Sequence, residues 1–539
     1  MPALIRDAPA GVVLRLVFGA KAFPYNDEKP GFQPPRSKAP SEKAVVEDVE
    51  SSDNATKTDG EKPDSASSGS DEVQVVEWYG TDDPDNPQNW STAKKSFVLF
   101  LICLLTFAVY SGSAIVTPAQ PAFVEMFGVS KQVSSLTLSL YVLGYGLGPL
   151  LFSPLSEVPR LGRNIPYMVS LTLFILITVA AARVDNYPGF VVLRFLQGFL
   201  GGPVLATGGA SAGDVLGFHK IPYGLTVWLC AAYAGPALGP LLSAYAVTGS
   251  SWRWTMYELL ILCGSVFLVC LFALPETNAD TILLHRARRL RKQTGNLTLQ
   301  SQSEVKQGNM HLFEVMARHL TTPFRITVQD PSIAFINIYT ALFYGIYYSY
   351  FESFPLVYMG IYHFSIGTMG IVFLSIIIAC ALAALTYILL LWYIYEPYTV
   401  ANGIGVQEHR LFPGIFASIV GPAGIFIFGW TAREDIHWVV PTVGVVLYSS
   451  SVFILASVIF IYLPTTYPKY AASLFAGNAF FRSVLACGAV HFSQPLFEDL
   501  GVGPGCSVLG GLSALCVLGV VWLYLHGAKL RAKSKFAGF

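Results

Sequence analysis

Beyond about residue 95 the chain is written in apolar blocks of roughly 20 residues, each bounded by a short polar turn. Twenty apolar residues in a helix cross the ~30 Å hydrocarbon layer of a bilayer. Twelve such blocks are readable, near 97–118, 132–155, 165–184, 188–213, 221–247, 254–274, 331–352, 366–391, 411–430, 438–463, 470–493 and 504–526. They fall six and six around the one long polar interruption of this region. The expected fold is an all-α membrane protein of twelve transmembrane helices in two six-helix halves. The division is a tail over 1–95, a first half over 96–275, a central loop over 276–330, a second half over 331–527 and a short tail over 528–539.

From Ser37 to Asp71 the pattern vanishes. The stretch is mostly Ser, Asp, Glu, Lys, Thr and Ala with no aromatic residue, which predicts disorder because too little apolar area is available to offset chain entropy. Ahead of it, "AGVVLRLVFGAKAF" is broken by Arg15 and Lys21 and reads as an amphipathic surface helix rather than a secretion signal.

Composition sharpens this picture in two places. Only 13% of the residues are charged and the formal net charge is zero, which argues against nucleic acid as a partner and leaves the information in local charge. The central loop carries Arg286, Arg288, Arg289, Arg291 and Lys292, and the C-terminal tail Lys529, Arg531, Lys533 and Lys535, whereas the alternate turns hold few basic residues. The positive-inside rule therefore predicts both termini and the central loop in the cytoplasm. The sequons at Asn54, Asn89 and Asn296 fall on that side and are expected to stay unmodified. The eight cysteines lie in apolar runs without a C-x-x-C pair, as packing residues do; no metal site and no cofactor is expected.

Candidate chemistry is concentrated at a few polar residues inside grease. After the second block, "SPLSEVPRLGRNIPY" places Glu157, Arg160, Gly162 and Arg163 on one turn, where a carboxylate and guanidiniums can form a charge-assisted clamp. In the fourth block, "VVLRFLQGFLGG" buries Arg194 with Gln197 three residues on; an intramembrane guanidinium is a functional candidate by default and acts by holding a carboxylate, a substrate charge or a backbone carbonyl. Replacing it is expected to abolish function while leaving the protein folded. The fifth block holds "AAYAGPALGPLLSAYA", whose Gly235-Pro236 and Gly239-Pro240 pairs combine a small-residue stripe with two helix-bending prolines, a candidate hinge and seal between the halves. Asp214, Glu258, Glu352 and His491 are the proton-carrying candidates, with Asp214 and Glu352 foremost. The seventh block repeats Phe343, Tyr344, Tyr347, Tyr348 and Phe351 at helical spacing, a surface suited to amphiphilic ligands. Gln197 of the fourth block and Asn478 and Arg482 of the eleventh are further candidate cavity residues.

Taken together, these segments resemble the major facilitator superfamily and, within it, the twelve-span fungal drug:proton antiporters. The turn at Ser153–Arg163 resembles the first signature of that family, "LRFLQGFLGG" the second and "GPALGP" the third, which marks antiporters; "LPETNAD", "YYSYFESFPLVY" and "YAASLFAGNAFFRS" also resemble that branch. The resemblance implies a monomeric plasma-membrane efflux pump, not an enzyme, that exchanges protons for small amphiphilic compounds. It associates Arg194 with proton coupling. A transporter of a defined metabolite such as an organic acid or polyamine, or a non-transporting sensor on the same scaffold, are the alternatives. No phosphate-binding G-x-x-x-x-G-K-[ST] loop is present, so ATP is not the expected driver.

Overall fold

The computed structural model describes residues 2–19, 23–29, 31–32, 73–307, 312–403, 407–467 and 470–537. The predicted disordered stretch 37–71 and the sequon at Asn54 lie outside them. Among the described residues, eleven helices are long and apolar enough to cross a membrane: Thr92–Phe127, Lys131–Glu157, Asn164–Arg183, Tyr187–Val215, Ile221–Gly249, Trp254–Ala273, Ile366–Asn402, Gln407–Thr431, Val439–Thr466, Ala471–Leu500 and Val502–Lys533. The seventh predicted span is also present, as the 24-residue helix Pro331–Phe354, about 36 Å long. Its tyrosines lower its hydropathy. Every residue from Phe343 to Phe354 is buried against other helices, so lipid-like composition is not required of it.

The packing repeats with an offset of six. Spans 1 and 5, 2 and 4, and 3 and 6 are partners, as are spans 7 and 11, 8 and 10, and 9 and 12. The two sets meet chiefly where span 2 lies on span 11 and span 5 on span 8.

The polar segments are more ordered than their composition predicts. The central loop contains the helices Ala279–Thr294 and Leu312–Gln329, and its strand Leu299–Ser301 pairs in parallel with Gln74–Val76, ahead of span 1. Within the tail expected to be largely disordered, Pro9–Phe18 is a helix exposing Val12, Val13, Leu16, Val17 and Phe18, as an interfacial helix does. Arg286, fully buried, donates to both Asp83 oxygens at 2.6 and 3.0 Å and to Asp85 at 2.7 Å, and Arg289 reaches Asp27 at 2.9 Å. Burial works against ionisation of Asp83, but Arg286 and the amides of Tyr79 and Asp85 hold its carboxyl below the usual value. The second half is tied in the same manner: Asp330, which caps the start of span 7, accepts from Tyr467 at 2.7 Å and from Ser534 beyond span 12 at 2.6 Å. Both chain ends and the central loop thus share one end of the bundle, here the near end.

Candidate functional site

Span 1 loses its regular hydrogen bonding after Ala114, just before Pro118, and the last carbonyls of a helix need other donors. Arg194 supplies them. From span 4 its Nη2 donates to the carbonyls of Gly112 (2.7 Å) and Ser113 (3.0 Å), its Nε to the carbonyl of Thr137 in span 2 (2.9 Å), and its Nη1 to Oε1 of Gln197 (3.0 Å), while the guanidinium lies 4.4 Å from the Tyr141 ring centroid. Gln197 passes the network on to Thr178 at 2.9 Å. A cation at a helix C-terminus also faces the negative end of the helix dipole. Of the partners that sequence leaves open to Arg194, the structure selects backbone carbonyl, and the residue joins three spans of one half.

The Gly-Pro stretch is one uninterrupted helix, Ile221–Gly249. A Cβ on Gly235 would stand 2.6 Å from Cβ of Tyr110 and 2.9 Å from the Phe107 carbonyl, and one on Gly239 would stand 2.6 Å from the Ser111 carbonyl. Ser243 continues the stripe by donating to the Ile115 carbonyl at 2.6 Å. The glycine face therefore seats span 5 on span 1 inside the first half. The adjacent face does meet the second half: Gly370 of span 8 packs on the Pro240–Ala244 turn, and Pro236 borders a central cavity.

That cavity is bounded by Tyr110, Trp228, Tyr233 and Pro236 from one half and Tyr344, Tyr347, Phe460 and Arg482 from the other. At about 10 Å³ it has room for about one water. Of the residues predicted to line it, Tyr344, Tyr347 and Arg482 do. Tyr348 stands behind them, its hydroxyl near those of Ser113 (3.3 Å) and Tyr145 (3.2 Å). Three others do not line it. Gln197 is spent on Arg194, and Phe343 packs edge-on to Tyr339 while its carbonyl accepts from Tyr448. Asn478 donates to Asn337 and Thr340 at 3.1 and 2.7 Å, pinning span 11 to span 7. Sequence reading missed Tyr110, Trp228, Tyr233 and Phe460, single aromatics in apolar runs. For Tyr233 a signal existed, since it lies one helical turn before Pro236 on the Gly-Pro helix.

Above and below the cavity the halves are bridged. At the far end Glu352 is buried and accepts from Gln120 (3.2 Å) and Ser135 (3.0 Å), two neutral donors of the opposite half. His491 of span 11 shares a 2.8 Å hydrogen bond with Ser139 of span 2. Glu258 has no part in this bridge; one of its oxygens is buried without a partner on span 6. At the level of the cavity the Tyr145 and Tyr344 hydroxyls are 2.6 Å apart. At the near end Glu396 of span 8 accepts from Lys220 (3.0 Å) and Tyr223 (2.5 Å) of span 5, a contact the sequence reading did not anticipate.

The clamp at the near end is built differently from its prediction. Arg163 reaches Asp214 at 3.1 Å and Ser156 at 2.9 Å, and Asp214 also accepts from Thr277 at 3.2 Å. Asp214, predicted with the proton-coupling group, thus sits with the clamp, about 30 Å along span 4 from Arg194 and in the opposite half from Glu352. Gly162 has φ of +67°, and a Cβ there would stand 2.5 Å from a carboxylate oxygen of Glu276. Glu276, from "LPETNAD" but absent from the predicted site, accepts from the amides of Arg163, Asn164, Thr277 and Asn278 at 2.9–3.1 Å. Burial nevertheless pushes its carboxyl above the ordinary value, against the pull of those amides. Arg160 is exposed on the same turn, and Glu157 lies within electrostatic reach of Arg163.

Comparison with known proteins agrees with this architecture. A sequence profile of the Major Facilitator Superfamily matches residues 102–490. The chain is 41% identical over 547 residues to "MFS-type transporter pyvG" of Aspergillus violaceofuscus and 38% identical over 551 residues to "Cycloheximide resistance protein" of Candida maltosa, with 100% of each chain covered in both cases. Among solved structures, the proton:xylose symporter XylE bound to 6-bromo-6-deoxy-D-glucose shares the fold, with a TM-score of 0.58 and 14% identity over 81% of this chain and 97% of the other.

Proposed function

The chain belongs to the major facilitator superfamily, and on that premise we propose that it is an efflux pump for small amphiphilic organic compounds, driven by exchange with protons. The observation that carries the export reading is the full-length likeness to a cycloheximide resistance protein. The geometry supports an alternating-access cycle. A cavity shared by two six-helix halves is bridged at both ends, so each opening requires one bridge to break while the other holds.

In this reading Glu352 carries the proton. Its buried carboxyl is held by neutral donors alone, so a negative charge there lacks compensation until the far end opens to water. Arg194 acts as the fixed cap around which spans 1, 2 and 4 keep their shape, and the Arg163–Asp214 pair yields when the near end opens. Basic residues of the central loop and C-terminal tail favour a cytoplasmic near end, and the plasma membrane as a monomer is the proposed setting.

The test is expression in yeast lacking its own efflux pumps, with growth on cycloheximide and cellular accumulation of the drug as readouts. Resistance and low accumulation, both reversed by a protonophore, are the expected result. Unchanged sensitivity on cycloheximide and on a panel of uncharged aromatic antifungals, with the protein present at the membrane, would overturn the proposal.

A further inference from the structure

The central cavity has the composition of a cation trap: four tyrosines, a tryptophan and a phenylalanine around one small space. Aromatic cages of that kind bind quaternary ammonium and other organic cations through their ring faces. Here the cage already holds its cation. The Arg482 guanidinium lies 4.7 Å from the Tyr344 ring centroid and 5.4 Å from that of Phe460. The phenols of Tyr110, Tyr344, Tyr233 and Tyr145 lie within its electrostatic reach, and among the described residues it forms no ion pair.

Two hydrogen-bonding groups are left over. The Nε–H of Arg482 and the hydroxyl of Tyr233 are buried without a partner, although both residues border the cavity. Three other polar groups of the wall are engaged: the Trp228 indole donates to Thr106, the Tyr344 hydroxyl pairs with Tyr145 and the Tyr347 hydroxyl donates to the Tyr233 carbonyl. No carboxylate borders the space. A buried donor left unpaired is costly, and a ligand that supplies an acceptor recovers that cost.

We propose that this pump selects neutral or anionic compounds that present a carbonyl, carboxylate or similar acceptor to Arg482 and Tyr233, and that it rejects lipophilic cations. The proposal rests on the export reading above and names its substrate class. The resident guanidinium repels a second cation within a few ångströms, so a permanent positive charge on an otherwise equal ligand is expected to weaken binding by roughly 10- to 100-fold. Removing that guanidinium frees the ring faces of the cage for a ligand cation.

The experiment uses inside-out membrane vesicles carrying the full chain and measures proton-driven cycloheximide uptake. Competitors are two coumarins of equal size, one bearing a neutral amide and the other a quaternary ammonium. Wild type is expected to be inhibited at least tenfold more strongly by the amide. R482Q should bring the two within about threefold or reverse the order, whereas R482K, which keeps the charge, should retain the amide preference and guards against a folding artefact. Equal inhibition of wild type by the ammonium compound overturns the proposal, as does an unaltered preference in R482Q. Absence of proton-driven cycloheximide uptake by wild type is a different failure, that of the export reading itself.

Discussion

Arg194→Ala tests whether the buried guanidinium is a cap or a proton-coupling partner. The substitution deprives four acceptors at once, and two of them, the carbonyls of Gly112 and Ser113, belong to a helix end with no amide left to serve them. A buried acceptor without a donor costs about 1–3 kcal/mol, so these two alone amount to about 2–6 kcal/mol. That is a large fraction of the 5–15 kcal/mol that separates a typical folded protein from its unfolded chain. The capping contacts therefore add a loss of stability to the loss of transport expected of the alanine variant. Thermal unfolding of purified protein in detergent, followed by size-exclusion chromatography, should show a Tm lower by about 2–5 °C. Arg194→Lys should fall between, because an ammonium can serve the two carbonyls of span 1 but cannot also reach Thr137 and Gln197 as a planar fork does. An alanine variant that unfolds within about 1 °C of wild type refutes the capping argument, whatever its transport activity.

The other expectations follow from single contacts. Glu352→Gln keeps a polar group at the far-end bridge and should leave Tm unchanged, while efflux in a vesicle assay becomes insensitive to an imposed pH gradient; gradient-dependent efflux in this variant removes Glu352 as the proton carrier. Gly239→Ala forces a methyl against the Ser111 carbonyl, so it should cost about 1–3 kcal/mol and lower both Tm and efflux; a neutral outcome would show that spans 1 and 5 separate freely. Arg286→Ala breaks a buried ion pair worth about 3–5 kcal/mol when one partner is left behind, and limited proteolysis should then cleave within residues 73–90 far faster than in wild type. The same contact has a pH signature. Because the folded value of Asp83 lies below its unfolded one, the stabilisation is complete above the ordinary carboxylate value near 4 and disappears as pH falls through the depressed one, so protection should survive at about pH 5.

Helices were legible because bilayer thickness imposes a length and lipid imposes a composition, and both are written in consecutive residues. The one span that departs from that composition, Pro331–Phe354, does so because it faces protein on nearly all sides. Partnerships were not legible. Nothing in "LRFLQG" says that Arg194 turns toward the end of span 1, since that end is defined by Pro118 some 76 positions earlier and by a chain path that only packing fixes. Asp214 and Arg163 were singled out separately and meet only through the fold. Cavity residues were the hardest to read: Tyr344 and Asn478 are both polar residues in grease, and only the register of spans 7 and 11 turns one toward the centre and the other into a helix seam.

Each half of the molecule is fastened where it begins to where it ends, through Asp83 with Arg286 in one and Asp330 with Ser534 in the other. Such closure sets an order of assembly during synthesis. The first six spans can be sealed into a ring as soon as the helix carrying Arg286 leaves the ribosome, before the seventh has been made. The second ring closes only once Ser534, beyond span 12, has been made. A protein assembled this way should tolerate being made as two separate polypeptides cut within the central loop, since each piece carries its own fastening and the intact backbone contributes only proximity.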